Sequence, residues 1–155
     1  MHLYLLRHAD SDTVSLDDDE RVLSEKGINQ AQRVARFCEA QDIKPDIIFS
    51  SHIRRALQTA KVVADHLSSE LRAVRWLACG ADPANVLAQV SEYANHSSIM
   101  LVGHAPDFGL IAAHLTGGNS GDNIHIRKAT LAHFNVHAFI AGGARLEFLL
   151  PVKLM

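Results

Sequence analysis

Residues 3–6 form a short apolar run that stops abruptly at Arg7 and His8, which predicts a buried strand opening onto a polar loop. Residues 10–20 are rich in Asp and Ser with only isolated apolar positions, and predict an exposed connection. Ser24 is placed to cap a helix whose apolar face is Ile28, Ala31, Ala35 and Cys38, with Glu25 in its first turn and Pro45 beyond its end. Residues 46–50 contain Ile47, Ile48 and Phe49 and read as a second strand, followed by polar Ser51 and His52. A second helix is predicted from Ile53, Ala56, Leu57, Ala60, Val63, Ala64 and Leu67, which recur at helical spacing.

Residues 71–77 alternate like a strand, and Gly80 to Pro83 break that pattern before a helix predicted over residues 84–95. Residues 99–102 are fully apolar and predict a buried strand ending at Gly103 and His104. Phe108, Ile111, Ala112 and Leu115 give the face of the next helix, stopped by Gly117 and Gly118. Residues 131–136 and 145–150 predict two late strands joined through Gly142 and Gly143. Strands alternating with helices imply an α/β fold, a three-layer α/β/α sandwich with a mostly parallel central sheet and an antiparallel edge from the late strands. Without a linker, repeat or low-complexity segment, residues 1–155 are expected to form a single domain.

Composition narrows the functional classes. The 155 residues carry a formal net charge of -2, so no general basic field draws nucleic acid or an anionic membrane, and any anion site must be local. Cys38 and Cys79 are too few for a disulfide framework and fit a reducing compartment. No basic lead precedes the first apolar run and no segment approaches transmembrane length, so a cytoplasmic protein is expected.

Three polar segments follow predicted strands: Arg7-His8, residues 50–55 and Gly103-His104. In an open α/β sheet these ends lie on one rim, where ligands bind. A phosphoryl group in transfer needs fixed cations for its peripheral oxygens and a nucleophile in line with the leaving group. Arg7 and Arg55 supply guanidinium groups that can each hold two oxygens, and His8 and His104 supply imidazoles, a neutral imidazole being able to attack phosphorus directly. Each residue also has an ordinary reading: a loop histidine, an exposed basic turn at Arg54-Arg55, a strand-end hydrogen bond at His104. Their convergence on one rim favours a site. A metal is not expected, because no His-x-x-x-His or Cys-x-x-Cys pair lies near the rim and the two arginines would repel a cation.

Leu5-Leu6-Arg7-His8-Ala9, the run Ser50-Ser51-His52-Ile53-Arg54-Arg55-Ala56-Leu57-Gln58-Thr59-Ala60 and Val102-Gly103-His104-Ala105-Pro106 resemble, in order, the three motifs of the histidine phosphatase superfamily. Arg21 to Gly27 with Gln30-Ala31 resembles the compact phosphohistidine phosphatases of the SixA type. The resemblance implies a phosphoglycerate mutase-like fold, a phosphohistidine intermediate on His8, phosphate contacts from Arg7, Arg55 and His104, and no cofactor. It also implies a phosphorylated partner, either a phosphohistidine protein such as a phosphotransfer domain or a small phosphorylated metabolite, with a non-catalytic phosphoprotein-binding module as the alternative outside enzymes. Ala9 replaces the motif's Gly, the Trp-Asn of the mutases is absent, and their acidic proton donor has no clear match. Asp82 is the nearest carboxyl candidate, though Asp82-Pro83 also reads as a helix start, and Arg21 is a candidate substrate contact.

Overall fold

The computed structural model describes residues 1–14 and 17–155. Its centre is a six-stranded sheet in the order β3-β2-β4-β1-β5-β6. Strand β1 (His2–Arg7) pairs in parallel with β4 (Ser98–Gly103), β4 with β2 (Ile47–Ser51), and β2 with β3 (Glu70–Val74). On the other side β1 pairs antiparallel with β5 (Leu131–Val136), and β5 with β6 (Ala144–Leu150). The late strands therefore form the antiparallel edge that the sequence predicts.

Alternation along β1, β2 and β4 sends successive side chains to opposite faces and creates two cores. Tyr4, Leu6, Ile48, Met100 and Val102 pack with α1 (Glu25–Ala40) and α2 (Arg54–Leu67). Leu3, Leu5, Ile47, Phe49, Ile99 and Leu101 pack with α3 (Pro83–Ser91) and α4 (Asp107–Leu115). The result is the three-layer α/β/α sandwich.

Helix α1 starts where Ser24 accepts a hydrogen bond from the Gly27 amide. Its buried face is Gly27, Ala31, Val34, Ala35 and Cys38, so Ile28, expected inside, is instead exposed. The reason is a close crossing: a methyl group on Gly27 would collide with the Asp10 carbonyl, so the helix meets the chain through Gly27 and turns Ile28 outward.

Strand β3 also ends earlier than the alternation predicts, at Val74 rather than Leu77. Its neighbour β2 ends at Ser51, opposite Val74, so no ladder remains to extend it. Leu77 is buried all the same, within a turn that packs into the α3/α4 core. Helix α3 stops at Ser91, short of residue 95, where the Tyr93 amide turns back to the Val90 carbonyl and the Tyr93 ring packs on Phe49 at 4.7 Å. The predicted connection over residues 10–20 contains a bridge between Ser11 and Leu23 and a 3-10 turn at Asp18–Glu20; residues 15 and 16 lie outside the described residues.

Candidate active site

His8, Ser51 and His104 lie at the carboxyl ends of β1, β2 and β4, and Arg55 sits in the first turn of α2 just past β2. The parallel register aligns Arg7 with Gly103, so the segments leaving β1 and β4 emerge side by side. The His8 amide then donates to the Gly103 carbonyl at 2.9 Å. Four expected residues thus meet on one rim: His8, Arg55 and His104 are buried and Arg7 is half-buried.

His8 Nδ1 lies 2.8 Å from the Ala9 carbonyl oxygen. A carbonyl only accepts, so this contact places the ring proton on Nδ1 and leaves Nε2 bare. Arg55 Nε donates toward that Nε2 at 3.4 Å. Burial lowers the His8 pKa to about 3, opposed by the Ala9 hydrogen bond and assisted by His104, Arg55 and Arg7. The imidazole is therefore neutral across the ordinary pH range, with an unprotonated nitrogen facing a guanidinium.

His104 lies with its ring centroid 5.3 Å from that of His8. Its Nε2 is 2.9 Å from Ser51 Oγ, while its buried Nδ1 has no partner. Burial, then Arg55 and Arg7, lower its pKa to about 4. Arg7 NH1 donates to the Ile126 carbonyl at 2.9 Å, and the Arg7 Nε is likewise buried without a partner. Burial and the neighbouring Arg55 both lower the Arg7 pKa, as expected for two cations held close together. A buried polar atom without a partner is costly, and here such atoms belong to the very residues predicted to hold an anion.

Several residues to which the sequence assigns no role build the frame. Thr59 accepts from the Ala9 amide at 3.0 Å and donates to the Arg55 carbonyl at 2.8 Å, locking the His8-Ala9 segment to α2. Gln58 accepts from the Leu23 amide at 2.8 Å, anchoring the returning loop to the same helix. Ala129, with φ of 54°, shares its amide between the Arg7 and His8 carbonyls. Asp18 contacts Arg55 twice, its carbonyl accepting from NH1 at 2.8 Å and its carboxylate lying 3.1 Å from NH2. Hydrogen bonding from Arg21, then the charge of Arg55, lowers the Asp18 pKa, so this carboxylate is ionised at neutral pH. The motif Gln58-Thr59 carried a signal for this frame; Asp18 lay in a run that reads only as solvated acid.

The other two candidates are engaged elsewhere. Arg21 donates to the Asp12 carbonyl, Asp18 and Ser11, at 2.7 to 3.0 Å, holding the loop together. Asp82 is exposed and caps α3, accepting from the Asn85 amide at 2.8 Å. Arg54 pairs with Glu20 on the surface. Ala9, where the motif has Gly, is fully buried and keeps a negative φ, so its methyl group is accommodated. Arg7 also lines an open cleft of about 390 Å³ with Ala105, Pro106 and residues 124–126.

Two guanidinium groups and two neutral imidazoles on the carboxyl rim of a mostly parallel six-stranded sheet define an α/β protein of the phosphoglycerate mutase-like fold, with a pocket suited to a tetrahedral oxyanion. The family model of the histidine phosphatase superfamily (branch 1) matches residues 3–78, and over that stretch the chain is similar to that superfamily. It is 25% identical over 124 residues, 77% of each chain, to the phosphohistidine phosphatase SixA of Escherichia coli strain K12. The structure of the protein histidine phosphatase SixA complexed with tungstate superposes with a TM-score of 0.89 at 21% identity, covering 99% of this chain and 98% of that one. The α-ribazole phosphatase of Shigella flexneri superposes with a TM-score of 0.82 at 18% identity, covering 98% and 97%. No helix among the described residues is long and apolar enough to cross a membrane.

Proposed function

We propose that the protein is a phosphatase that works through a phosphohistidine on His8, and that its substrate is phosphohistidine on a protein. The observation that carries the mechanism is the proton placement on His8: Nδ1 bonded to the Ala9 carbonyl and Nε2 bare beside Arg55. In the first step the Nε2 lone pair forms a bond to phosphorus as the bond to the leaving group breaks. Arg7, Arg55 and His104 offer donors to the peripheral oxygens, and the unpartnered Arg7 Nε and His104 Nδ1 gain partners when an oxyanion is bound. In the second step water attacks phosphorus, the Nε2–P bond breaks and inorganic phosphate leaves. The regenerated imidazole needs no proton of its own, because Nδ1 keeps its hydrogen throughout.

The leaving group decides the substrate class. An alkoxide leaves poorly without a proton, whereas the imidazole of phosphohistidine leaves with less help. Asp18, the carboxylate in contact with Arg55, is held ionised and has no proton to give, and Asp82 is spent on a helix cap. This acid-poor surround supports a phosphoramidate substrate, as does the likeness to a phosphohistidine phosphatase. The cleft of about 390 Å³ beside Arg7 favours a second reading, a small phosphorylated metabolite, and an α-ribazole phosphatase shares the fold.

Brief reaction with a labelled phosphoramidate, quenched in alkali, tests the mechanism. Acid-labile, alkali-stable label is expected on the wild-type chain and none on His8→Ala; normal turnover by His8→Ala would overturn it. Rates on a phosphohistidine protein and on an alkyl phosphate separate the substrates, a preference of about 10²-fold or more for the first being expected from the missing acid. Binding of phosphoprotein without any turnover would point to a non-catalytic module.

A further inference from the structure

Positive charge is concentrated along one side of the molecule. A groove of about 430 Å³ begins at Arg7 and is lined by Arg127, Lys128, Lys26 and Lys153. Lys26, Gln30 and Lys153 also line the next groove, which adds Arg33, and Arg33 lines a third with Arg36 and Phe37. Shared walls join the three into one track.

Six cations beyond Arg7 stand on this track, against two acids, Asp10 and Glu25. The whole chain has 15 Lys and Arg against 17 Asp and Glu, so the remainder is strongly acidic. Asp10 is already neutralised by Lys128 at 2.7 Å. Lys26, Arg36, Arg127 and Lys153 make no ion pair among the described residues. Off the track, Arg21, Arg54, Arg55, Lys61 and Arg72 each pair with a carboxylate. Lys44, Arg75 and Arg145 are also without an ion pair among the described residues and lie off the track, so most, though not all, of the unpaired cations stand along the path to Arg7.

The track is too long for a small substrate. Lys26 to Arg36 alone is ten residues of α1, about 15 Å at the rise of a helix, and it continues outward from the groove that contains Arg7. A nucleic acid strand is disfavoured because the rest of the chain is net acidic, and Phe37 and His125 are the track's only aromatic rings among the described residues. An acidic patch on a folded protein has the matching extent and ends where the track ends. We propose that the track from Arg7 along α1 to Arg36 docks an acidic face of the phosphorylated protein whose phosphohistidine reaches His8. This rests on the phosphohistidine-protein reading above and adds the charge of the partner's surface.

The test is a triple reversal, Lys26→Glu with Arg36→Glu and Lys153→Glu, all exposed and with no side-chain hydrogen bond among the described residues. A control of equal charge change reverses Lys44, Lys61 and Arg145. On an acidic, histidine-phosphorylated phosphotransfer domain at low salt, the triple variant is expected to lose at least about 10-fold in kcat/KM, while phosphoramidate turnover stays within twofold. Binding of poly-L-glutamate, read by titration without turnover, is expected to weaken about 10-fold in the triple variant, to weaken with salt in the wild type and to be unchanged in the control. Equal loss in the control, or unchanged kinetics and binding in the triple variant, overturns the proposal. Tighter binding of a 20-nucleotide thymidine strand than of poly-L-glutamate also overturns it, in favour of a nucleic-acid surface. Poly-L-glutamate binding that depends on the three residues in a protein without any phosphatase activity would sink the phosphatase reading and leave the acid-binding track standing.

Discussion

Two histidine pairs lie at opposite ends of β1. His8 and His104 sit past its carboxyl end with ring centroids 5.3 Å apart; His2, at its start, and His133 on β5 lie 5.0 Å apart with ring nitrogens at 2.9 Å. Proximity is the same, and in both places burial is the leading cause of a lowered histidine pKa. The surroundings differ. His133 stacks on Tyr4 at 4.5 Å and meets Phe148 at 5.3 Å, and its polar neighbours are the partner ring and the Glu147 carboxylate, with no guanidinium beside it among the described residues. His8 has Arg55 on its bare nitrogen, and its neighbour His104 keeps an unpartnered buried nitrogen. A pair of histidines becomes a candidate for phosphoryl chemistry through adjacent fixed cations and unmet donors, which the strand ends supply at one end of the sheet only.

The comparison breaks most sharply if both pairs matter equally to turnover. His8→Asn is expected to lower kcat by about 10⁴-fold or more, the scale for removing a nucleophile, while His133→Asn stays within twofold. Steady-state rates on a phosphoramidate decide this. Next in size, His104→Ala and Arg55→Met are each expected to cost about 10²- to 10³-fold in kcat/KM, the range for removing one donor to developing charge.

Acidification sharpens the contrast further. His8 and His104 have pKa values lowered to about 3 and about 4, so both stay neutral through the region where an ordinary histidine titrates. A kcat/KM profile on an acid-stable phosphate ester, corrected for that substrate's own second ionisation at about pH 6, is expected to be flat from pH 8 to pH 5 and to fall only as pH approaches 4. An inflection near 6.5 would contradict the buried, neutral pair. Stability runs differently. Above the unfolded value of 6.5 both states are unprotonated; as pH falls from there toward 3 to 4 the unfolded chain takes up protons that the folded chain excludes, so folding stability declines through that window.

Much of this arrangement was legible in the sequence because it rests on local signals. The apolar runs of β1 and β4 end abruptly at Arg7-His8 and Gly103-His104, and strand ends of an α/β sheet converge by topology. Leu77 was misread because an alternating segment looks like a strand whether or not a neighbour remains to pair with it. Asp18 and Ala129 carry no signal in the sequence, and Ser51 and Thr59 stand in a motif that does not disclose their roles, because those roles arise from contacts between residues far apart in the chain that no local pattern records. The cationic track was hidden for another reason: α1, residues 127–128 and Lys153 are scattered along a chain whose net charge is negative.

Ser51 gives a smaller effect. Its hydroxyl accepts from the Ile53 amide and contacts His104 Nε2 at 2.9 Å, so it fixes that ring without reaching the reacting atoms. Ser51→Ala is expected to lower kcat by about 3- to 10-fold with KM little changed, and to raise the His104 pKa little, since burial dominates it. A loss as large as that of His104→Ala would make Ser51 a participant in its own right.

The smallest effect belongs to the other pair. His133→Phe removes the contact with His2 and keeps a flat ring against Tyr4 and Phe148. An exposed hydrogen bond contributes little, so stability at pH 8 is expected to stay within about 0.5 kcal/mol of wild type. At pH 5 the two should diverge. Burial and His2 lower the His133 pKa, so in the wild type the unfolded chain binds a proton there that the folded chain resists, and stability drops below pH 6.5. Phenylalanine cannot titrate, so the variant gains on the wild type as pH falls toward 5, in denaturant midpoints measured at both pH values. Parallel midpoints would mean that the His2–His133 pair accepts a proton as readily folded as unfolded, and that burial at this end of β1 is too shallow to set it apart from solvent.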